Sequence, residues 1–305
     1  MSVQNVAFLF SGQGAQVPGM GEELYKISPA ARMVFDTADR VLERKISHLC
    51  FRGTQEALDL THNTQPCMLA VDLAAFAVIT ERGWRPDAVA GFSLGEYAAI
   101  VAANVISMED AFKMIQIRAD AMQEAVPLGQ GAMAAVTKIS PQKVEELCAE
   151  VEGYVIPANF NSMVQTVVSG EAEAVDNLLE LAKERKIMAM KLPVSAPFHC
   201  KLMEPAAAKL KHIFEKVCFR DASFPIYMNF DGKAHTTAED IRRCVIQQAV
   251  SPVRWVDTIE QMSAAGVDQF VELGVGHTLK KFVKNIVPSK KVASLQELIF
   301  FKENS

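Results

Sequence analysis

Val6-Ala7-Phe8-Leu9-Phe10 is an unbroken apolar run with no polar alternation, the pattern of a strand buried on both faces. It empties into the glycine-rich loop Ser11-Gly12-Gln13-Gly14-Ala15-Gln16. Several helical segments follow, and then a second apolar run, 88–92, leads through Gly91-Phe92-Ser93-Leu94-Gly95-Glu96 into helix-forming Tyr97-Ala98-Ala99-Ile100-Val101-Ala102. From about 126 to 194 the rhythm changes. The pattern there predicts a strand at 132–136, a helix at 141–151, strands at 154–160 and 166–169, a helix at 172–184 and a strand at 187–192. That βαββαβ order is the ferredoxin-like pattern, with Gly129-Gln130-Gly131 before it and Pro193 and Pro197 after it as hinges. Alternation of strands and helices then resumes: strand 224–229, helices 238–250 and 255–265, strand 269–273, helix 278–287 and strand 292–295. The expected fold class is α/β, an α/β-hydrolase-like main domain over 1–125 and 195–305 with a ferredoxin-like α+β subdomain inserted at 126–194 and a cleft between them.

Composition narrows the function classes. The chain has 305 residues, half of them hydrophobic, enough for a large core. Its net charge of −5, from 31 basic and 36 acidic residues, offers no general attraction to nucleic acid or membrane surfaces. Six scattered cysteines make no CxxC pair, and six histidines make no HExxH or HxH arrangement. Free thiols in a reducing compartment and no metal are therefore expected. No basic leader precedes an apolar segment, and no stretch reaches the ~18 apolar residues of a spanning helix, so a cytoplasmic protein is expected.

Strand, sharp turn and helix around Ser93 turn a G-x-S-x-G string into a candidate nucleophile elbow. The flanking Gly91 and Gly95 permit a tight turn and close approach to the hydroxyl, and the helix start offers N–H groups to a developing oxyanion. Ser93-Leu94-Gly95-Glu96 also fits a capping box, in which Ser93 merely caps its helix. Arg118 stands out without any motif. The helix that Ser107 and Asp110 open and that runs to about Gln123 puts Ala111, Met114, Ile115 and Met122 within about 60° of Arg118. A buried arginine needs an anion, either a substrate carboxylate in its planar fork or a structural Asp or Glu. Gln248 continues the apolar stripe of Ile241, Cys244 and Val245 at a helix end. It can cap that end, or its free carbonyl can orient a histidine. His199, in Ser195-Ala196-Pro197-Phe198-His199-Cys200, is the candidate base, with His277 in Gly274-Val275-Gly276-His277 as rival. The first loop fails the dinucleotide fingerprint, since Val17 occupies the third glycine position. It can instead present the Gln13 N–H to an oxyanion beside that of Leu94.

Together these segments resemble the malonyl-CoA:acyl carrier protein transacylase family. Phe10-Ser11-Gly12-Gln13-Gly14-Ala15-Gln16 is similar to its FPGQGSQ loop, Thr64-Gln65-Pro66 to its TQP segment and Gly91-Phe92-Ser93-Leu94-Gly95-Glu96-Tyr97 to its GHSLGEY elbow. Asn159-Phe160-Asn161-Ser162 is similar to its NFN loop, 195–199 to SxPFH, Pro252-Val253-Arg254-Trp255 to PVRW and Glu272-Leu273-Gly274 to the ELGPG turn. The resemblance implies Ser93 as nucleophile, His199 as base, the Gln248 carbonyl as its orienting group, and Gln13 and Leu94 as oxyanion-hole donors. It also implies Arg118 as the malonyl-carboxylate clamp, with Gln65, Asn159 and Phe198 at the substrate. The activity implied is malonyl transfer from malonyl-CoA, a substrate rather than a cofactor, to the phosphopantetheine thiol of a separate acyl carrier protein, for fatty acid synthesis. Phe92, Ser11 and Val275 depart from the family's histidine and two prolines. Lys280, Lys281, Lys284, Lys290 and Lys291 form either a carrier docking patch or a solvated face. A polyketide acyltransferase, an acyl-thioester serine hydrolase, a dinucleotide oxidoreductase and a non-catalytic carrier-binding module are the alternatives.

Overall fold

Strand β1 (Val6–Phe10) is buried along its whole length. Such a strand needs neighbours on both edges and cover on both faces. It pairs in parallel with β2 (Ala88–Gly91) on one side and β9 (Gln269–Leu273) on the other. Parallel β10 (Lys291–Ser294) extends the sheet beyond β9, and β7 (Ile226–Tyr227) with antiparallel β8 (Ala234–His235) extends it beyond β2. Register aligns Phe10 with both Gly91 and Leu273, so β1, β2 and β9 end level at one edge. The loops carrying Gln13, Ser93 and Gly274 leave there, where parallel α/β sheets place ligands. This computed structural model describes residues 5–194 and 196–299; Ser195 and both ends of the expected main domain lie outside them.

A second sheet joins β3 (Gly131–Thr137), β4 (Val155–Ser162), β5 (Gln165–Glu171) and β6 (Met188–Lys191), antiparallel in the order β4-β5-β3-β6. The molecule is thus a mixed α/β fold with two sheets. Alternation along β3 divides the work of its two faces. Ala132, Ala134 and Val136 pack against Val144, Leu147, Val175 and Leu178 of the helices Pro141–Glu150 and Ala172–Glu184. Met133 and Ala135 instead join Val167, Met122 and Phe198 on the opposite face.

Two expectations require correction. The strand expected at 224–229 is only the two residues of β7. Asn229 leaves the ladder because its N–H goes to the buried Glu96 carboxylate and its side chain spans Gly91 and Ser93. The strand expected at 154–160 runs on to Ser162, so the segment Asn159-Phe160-Asn161-Ser162 that resembles the family's NFN loop is the last part of β4, with register shifts on either side of Asn159 and Phe160. There Phe160 N donates to Val253 O at 2.9 Å and Val253 N to Ala158 O at 2.8 Å. The NFN-like and PVRW-like segments therefore meet and tie the second sheet to the first. No helix among the described residues is long and apolar enough to cross a membrane.

Candidate active site

The turn after β2 is built around its glycines. A Cβ on Gly91 would lie 2.0 Å from Gly95 backbone atoms, and one on Gly95 would lie 2.5 Å from Phe10 O. Neither position admits a side chain, and the turn that results holds Ser93 at φ 52°. That left-handed conformation costs a non-glycine residue on the order of 1–3 kcal/mol and persists only where surrounding bonds enforce it. Asn229 supplies the bonds: its Oδ1 accepts from Ser93 N at 2.7 Å and its Nδ2 donates to Gly91 O at 2.7 Å. A short 3-10 turn, Ser93–Gly95, precedes the helix Glu96–Ala102, and Ser93 makes no side-chain cap. The capping alternative is therefore overturned, because the hydroxyl is engaged elsewhere.

Ser93 Oγ lies 2.7 Å from His199 Nε2, and His199 Nδ1 lies 3.0 Å from Gln248 O. The carbonyl is freed because the helix Ala238–Gln248 ends there, where the last C=O groups lack intrahelical partners. It accepts a hydrogen bond from Nδ1–H and so leaves Nε2 as the acceptor facing Ser93. His199 itself sits at φ 61°, so nucleophile and base both carry backbone strain. Burial and the nearby Arg118 charge push the imidazole down to about 4 from an ordinary 6.5, keeping it neutral and able to take a proton. The rival His277 is exposed and directly precedes the helix Thr278–Ile286.

Arg118 reaches the same hydroxyl from the helix Met108–Glu124, which Ser107 caps as expected. Only 2 % of it is exposed. Its Nη2 donates to Ser93 Oγ at 3.2 Å and to Gln248 Oε1 at 3.0 Å, and its Nη1 to Gln65 Oε1 at 2.8 Å. Its guanidinium also lies 5.6 Å from the centre of the Tyr97 ring. Among the described residues no carboxylate lies within ion-pairing distance of it. The alternative of a structural Asp or Glu partner is therefore not met among the described residues, and neutral oxygens take that place. Gln65 is positioned by the helix Thr61–Glu81, which contains Pro66. Pro66 lacks the N–H that would bond His62 O four residues back, and Arg44 and Gln116 donate to that carbonyl instead, at 3.1 and 3.4 Å.

Two residues to which the motifs gave no role in catalysis complete this network. Glu96 Oε2 accepts from Gln248 Nε2 at 2.6 Å, and Oε1 accepts from Asn229 N. Gln248 Nε2 also donates to Ser93 O at 2.8 Å. Burial pushes Glu96 up to about 8, against the pull of its two donors and of Arg118. In the sequence Glu96 reads as the acid of a candidate capping box and Asn229 as a strand end. Only tertiary contacts show what they hold.

Ser93, His199 and Arg118 open into a cavity of about 520 Å³ that Gln13, Gln65, Asn159 and Phe198 also line. Leu94 follows Ser93 in the turn and is buried. Phe92 forms part of the wall, its ring edge-on to Trp255 at 5.3 Å and tilted against Phe282 at 6.1 Å. Of the lysine cluster, Lys281 borders the cavity, whereas Lys280 pairs with Glu297 and Lys290 lies 3.6 Å from Asp268. Outside the cavity, Asp231, His235 and Cys244 bring potential metal-ligand atoms within 4.8 Å of one another, a grouping that no sequence spacing announced. His235 Nε2 faces Asp231 Oδ2 at 3.0 Å and Cys244 Sγ at 3.8 Å, so the three already satisfy one another as a hydrogen-bonded cluster.

A strained serine, a neutral histidine and a buried guanidinium on one hydroxyl are the parts of an acyl-transfer site. A family model for the acyl transferase domain matches residues 7–299. The chain belongs to the acyl transferase family. A malonyl CoA-acyl carrier protein transacylase of Bacillus subtilis is 43% identical over 288 residues, covering 93% of this chain and 91% of its own length. The solved structure of the malonyl CoA-acyl carrier protein transacylase from Coxiella burnetii superposes with a TM-score of 0.93 at 40% identity, covering 96% of this chain and 94% of that one. A malonyl-transacylase in complex with its type II PKS acyl-carrier protein gives 0.92 at 38% identity, over 95% of this chain and 96% of its own.

Proposed function

We propose that this acyl transferase family member moves a malonyl group from malonyl-CoA to the phosphopantetheine thiol of a separate acyl carrier protein, through a malonyl-Ser93 ester. The observation that carries this reading is Arg118, a buried cation whose hydrogen bonds go to neutral oxygens only, 3.2 Å from the Ser93 hydroxyl. A guanidinium so placed is matched by a carboxylate close to the carbonyl under attack, and malonyl holds its carboxylate one methylene away. Acetyl offers nothing to replace the lost hydration of the charge. The relatives' shared name supports the same substrate and carrier. The architecture accords with an α/β-hydrolase-like main domain over 1–125 and 195–305 and a ferredoxin-like subdomain over 126–194, the second sheet having the strand order given above.

In the first half-reaction His199 Nε2 takes the Ser93 proton as Oγ attacks the thioester carbon. The carbonyl oxygen becomes an oxyanion, received by the N–H groups of Gln13 and Leu94. The C–S bond breaks, and coenzyme A leaves with the proton from His199. The carrier thiol then gives its proton to His199 and attacks the ester, and Ser93 Oγ departs by recovering that proton. The Gln248 carbonyl stabilises the imidazolium in both halves, as the carboxylate does in a serine triad. Atoms and charge balance with these groups alone, so the reaction draws on no cofactor.

The carrier we propose is that of fatty acid synthesis; a relative solved in complex with its type II PKS acyl-carrier protein keeps a polyketide carrier as the alternative. Incubation with malonyl-CoA, with and without phosphopantetheinylated carrier, tests the reading. Wild type should form malonyl-carrier and release little coenzyme A when the carrier is absent, and Ser93→Ala should form no malonyl-carrier and release no coenzyme A. Steady coenzyme A release at the same rate without carrier would replace transfer with hydrolysis.

A further inference from the structure

Glu96 touches neither the Ser93 hydroxyl nor Arg118, yet it is buried at the point where the two halves of the site join. Both of its oxygens face donors: the backbone N–H of Asn229, whose side chain holds the Ser93 turn, and the amide Nε2 of Gln248. A side-chain amide has one donating and one accepting end. With Nε2 committed to Glu96 at 2.6 Å and to Ser93 O at 2.8 Å, Oε1 must point the other way, and there it accepts from Arg118 at 3.0 Å. We infer that Glu96 is a specificity-determining positioning residue, which fixes the orientation of the Gln248 amide and through it aims the Arg118 fork at the substrate carboxylate. Gln248 thus acts twice and separately, its backbone carbonyl on His199 and its side chain on Arg118.

The Glu96 carboxyl lies one amide away from the guanidinium, linked to it through the Gln248 side chain, and so leaves the front of the fork open. A carboxyl in direct contact would occupy the clamp. Both ends of the Glu96 side chain accept, which a carboxamide, with an NH2 at one end, cannot match.

Glu96→Gln conserves shape and removes that property. The Asn229 N–H belongs to the backbone and cannot turn, so the new carboxamide oxygen must stay on it and the new NH2 must face Gln248. Gln248 then turns over, presenting Nε2 to the guanidinium, a donor against a cation, and giving up its bond to Ser93 O, which Oε1 would now face. Its backbone carbonyl, held by the helix end, keeps its bond to His199. The loss should therefore fall on malonyl recognition and spare the serine–histidine chemistry.

The experiment compares kcat and KM for malonyl-CoA and acetyl-CoA in wild type, Glu96→Gln, Glu96→Asp, Arg118→Ala and the Glu96→Gln/Arg118→Ala double variant. For Glu96→Gln, kcat/KM with malonyl-CoA should fall about ten- to a hundredfold, mostly through KM, with acetyl-CoA changed less than about threefold. In the Arg118→Ala background, Glu96→Gln should add nothing further to the malonyl loss. Glu96→Asp, which keeps two accepting oxygens, should retain the malonyl preference even where its rate drops, and it carries the test should the glutamine variant not fold. Equal losses for both thioesters, additive losses in the double variant, or a preference lost in Glu96→Asp would each overturn the assignment. The inference rests on the malonyl-transfer reading, and the two fail differently. A wild type that does not prefer malonyl defeats that reading, whereas a selective wild type whose preference survives Glu96→Gln defeats this one.

Discussion

The six-stranded sheet and the four-stranded sheet meet at one cavity and line it with opposite chemistry. From the first come Ser93 on its strained turn, Gln65 and the buried Arg118, with Glu96, Asn229 and Gln248 behind them. From the second come Met133, Ala135 and Val167, packed with Phe198 on the face turned away from that sheet's own helices. His199 lies on the segment that returns from the second sheet to the first. The body therefore holds charge and reactive groups at fixed distances through bonds that cross between distant segments. The smaller sheet supplies apolar shape, with Asn159 and Asn161 of β4 and Gln165 of β5 as its polar contribution. The difference teaches that the energy of a side chain here depends on whether it is a replaceable wall or a member of a closed polar network.

That contrast can be broken or sharpened by substitution. The largest effect is expected at Arg118. Arg118→Ala should reduce kcat/KM for malonyl-CoA by roughly 2–5 kcal/mol, the range for losing one partner of a buried charged pair, while acetyl transfer changes little. Steady-state kinetics with both thioesters would measure it, and equal losses would remove the clamp. A smaller effect is expected on the other sheet. Met133→Ala should shift kcat/KM by about tenfold or less, and for both thioesters alike, because a wall residue contributes shape without charge. A Met133→Ala loss confined to malonyl-CoA would dissolve the division between the sheets.

The smallest effect is a shift of one titration. His199 is held at about 4 in the folded protein, first by burial and then by the Arg118 charge, below its ordinary 6.5. Removing the charge should raise it, though burial keeps it below 6.5, and NMR of the imidazole in wild type and Arg118→Ala would read the change. The sign for stability follows from linkage. Between 6.5 and about 4 the unfolded chain binds a proton that folded His199 does not, so this histidine makes the protein less stable as pH falls through that window. Substituting it with an uncharged residue should flatten that part of the stability curve.

Much of this was legible in the chain because local rules carried it. The helix Ala172–Glu184 and the strand Gln269–Leu273 have the expected bounds, since their apolar periods and flanking residues agree with the tertiary environment. Ser107 caps the Arg118 helix as its spacing to Asp110 suggests. Ser93, His199, Gln248, Arg118 and Gln65 come from five separate segments, and motif resemblance, not periodicity, gathered them. Where long-range bonds decide, local reading failed. Strand β7 is short because Asn229 is claimed by Glu96, Gly91 and Ser93. Arg118 has neutral partners, Gln65, Ser93 and Gln248, drawn from three distant segments, an arrangement that helical spacing cannot encode.

The most direct test of charge selection by the body is a competition. Wild-type protein is mixed briefly with equal amounts of malonyl-CoA and acetyl-CoA in the absence of carrier, and the intact-protein mass is recorded. Arg118 behind Ser93 predicts a malonyl adduct with acetyl adduct at most a minor species, and none of either on Ser93→Ala. Malonyl and acetyl adducts in comparable amounts on wild type would contradict the account, because the buried guanidinium would then have no part in choosing the acyl group.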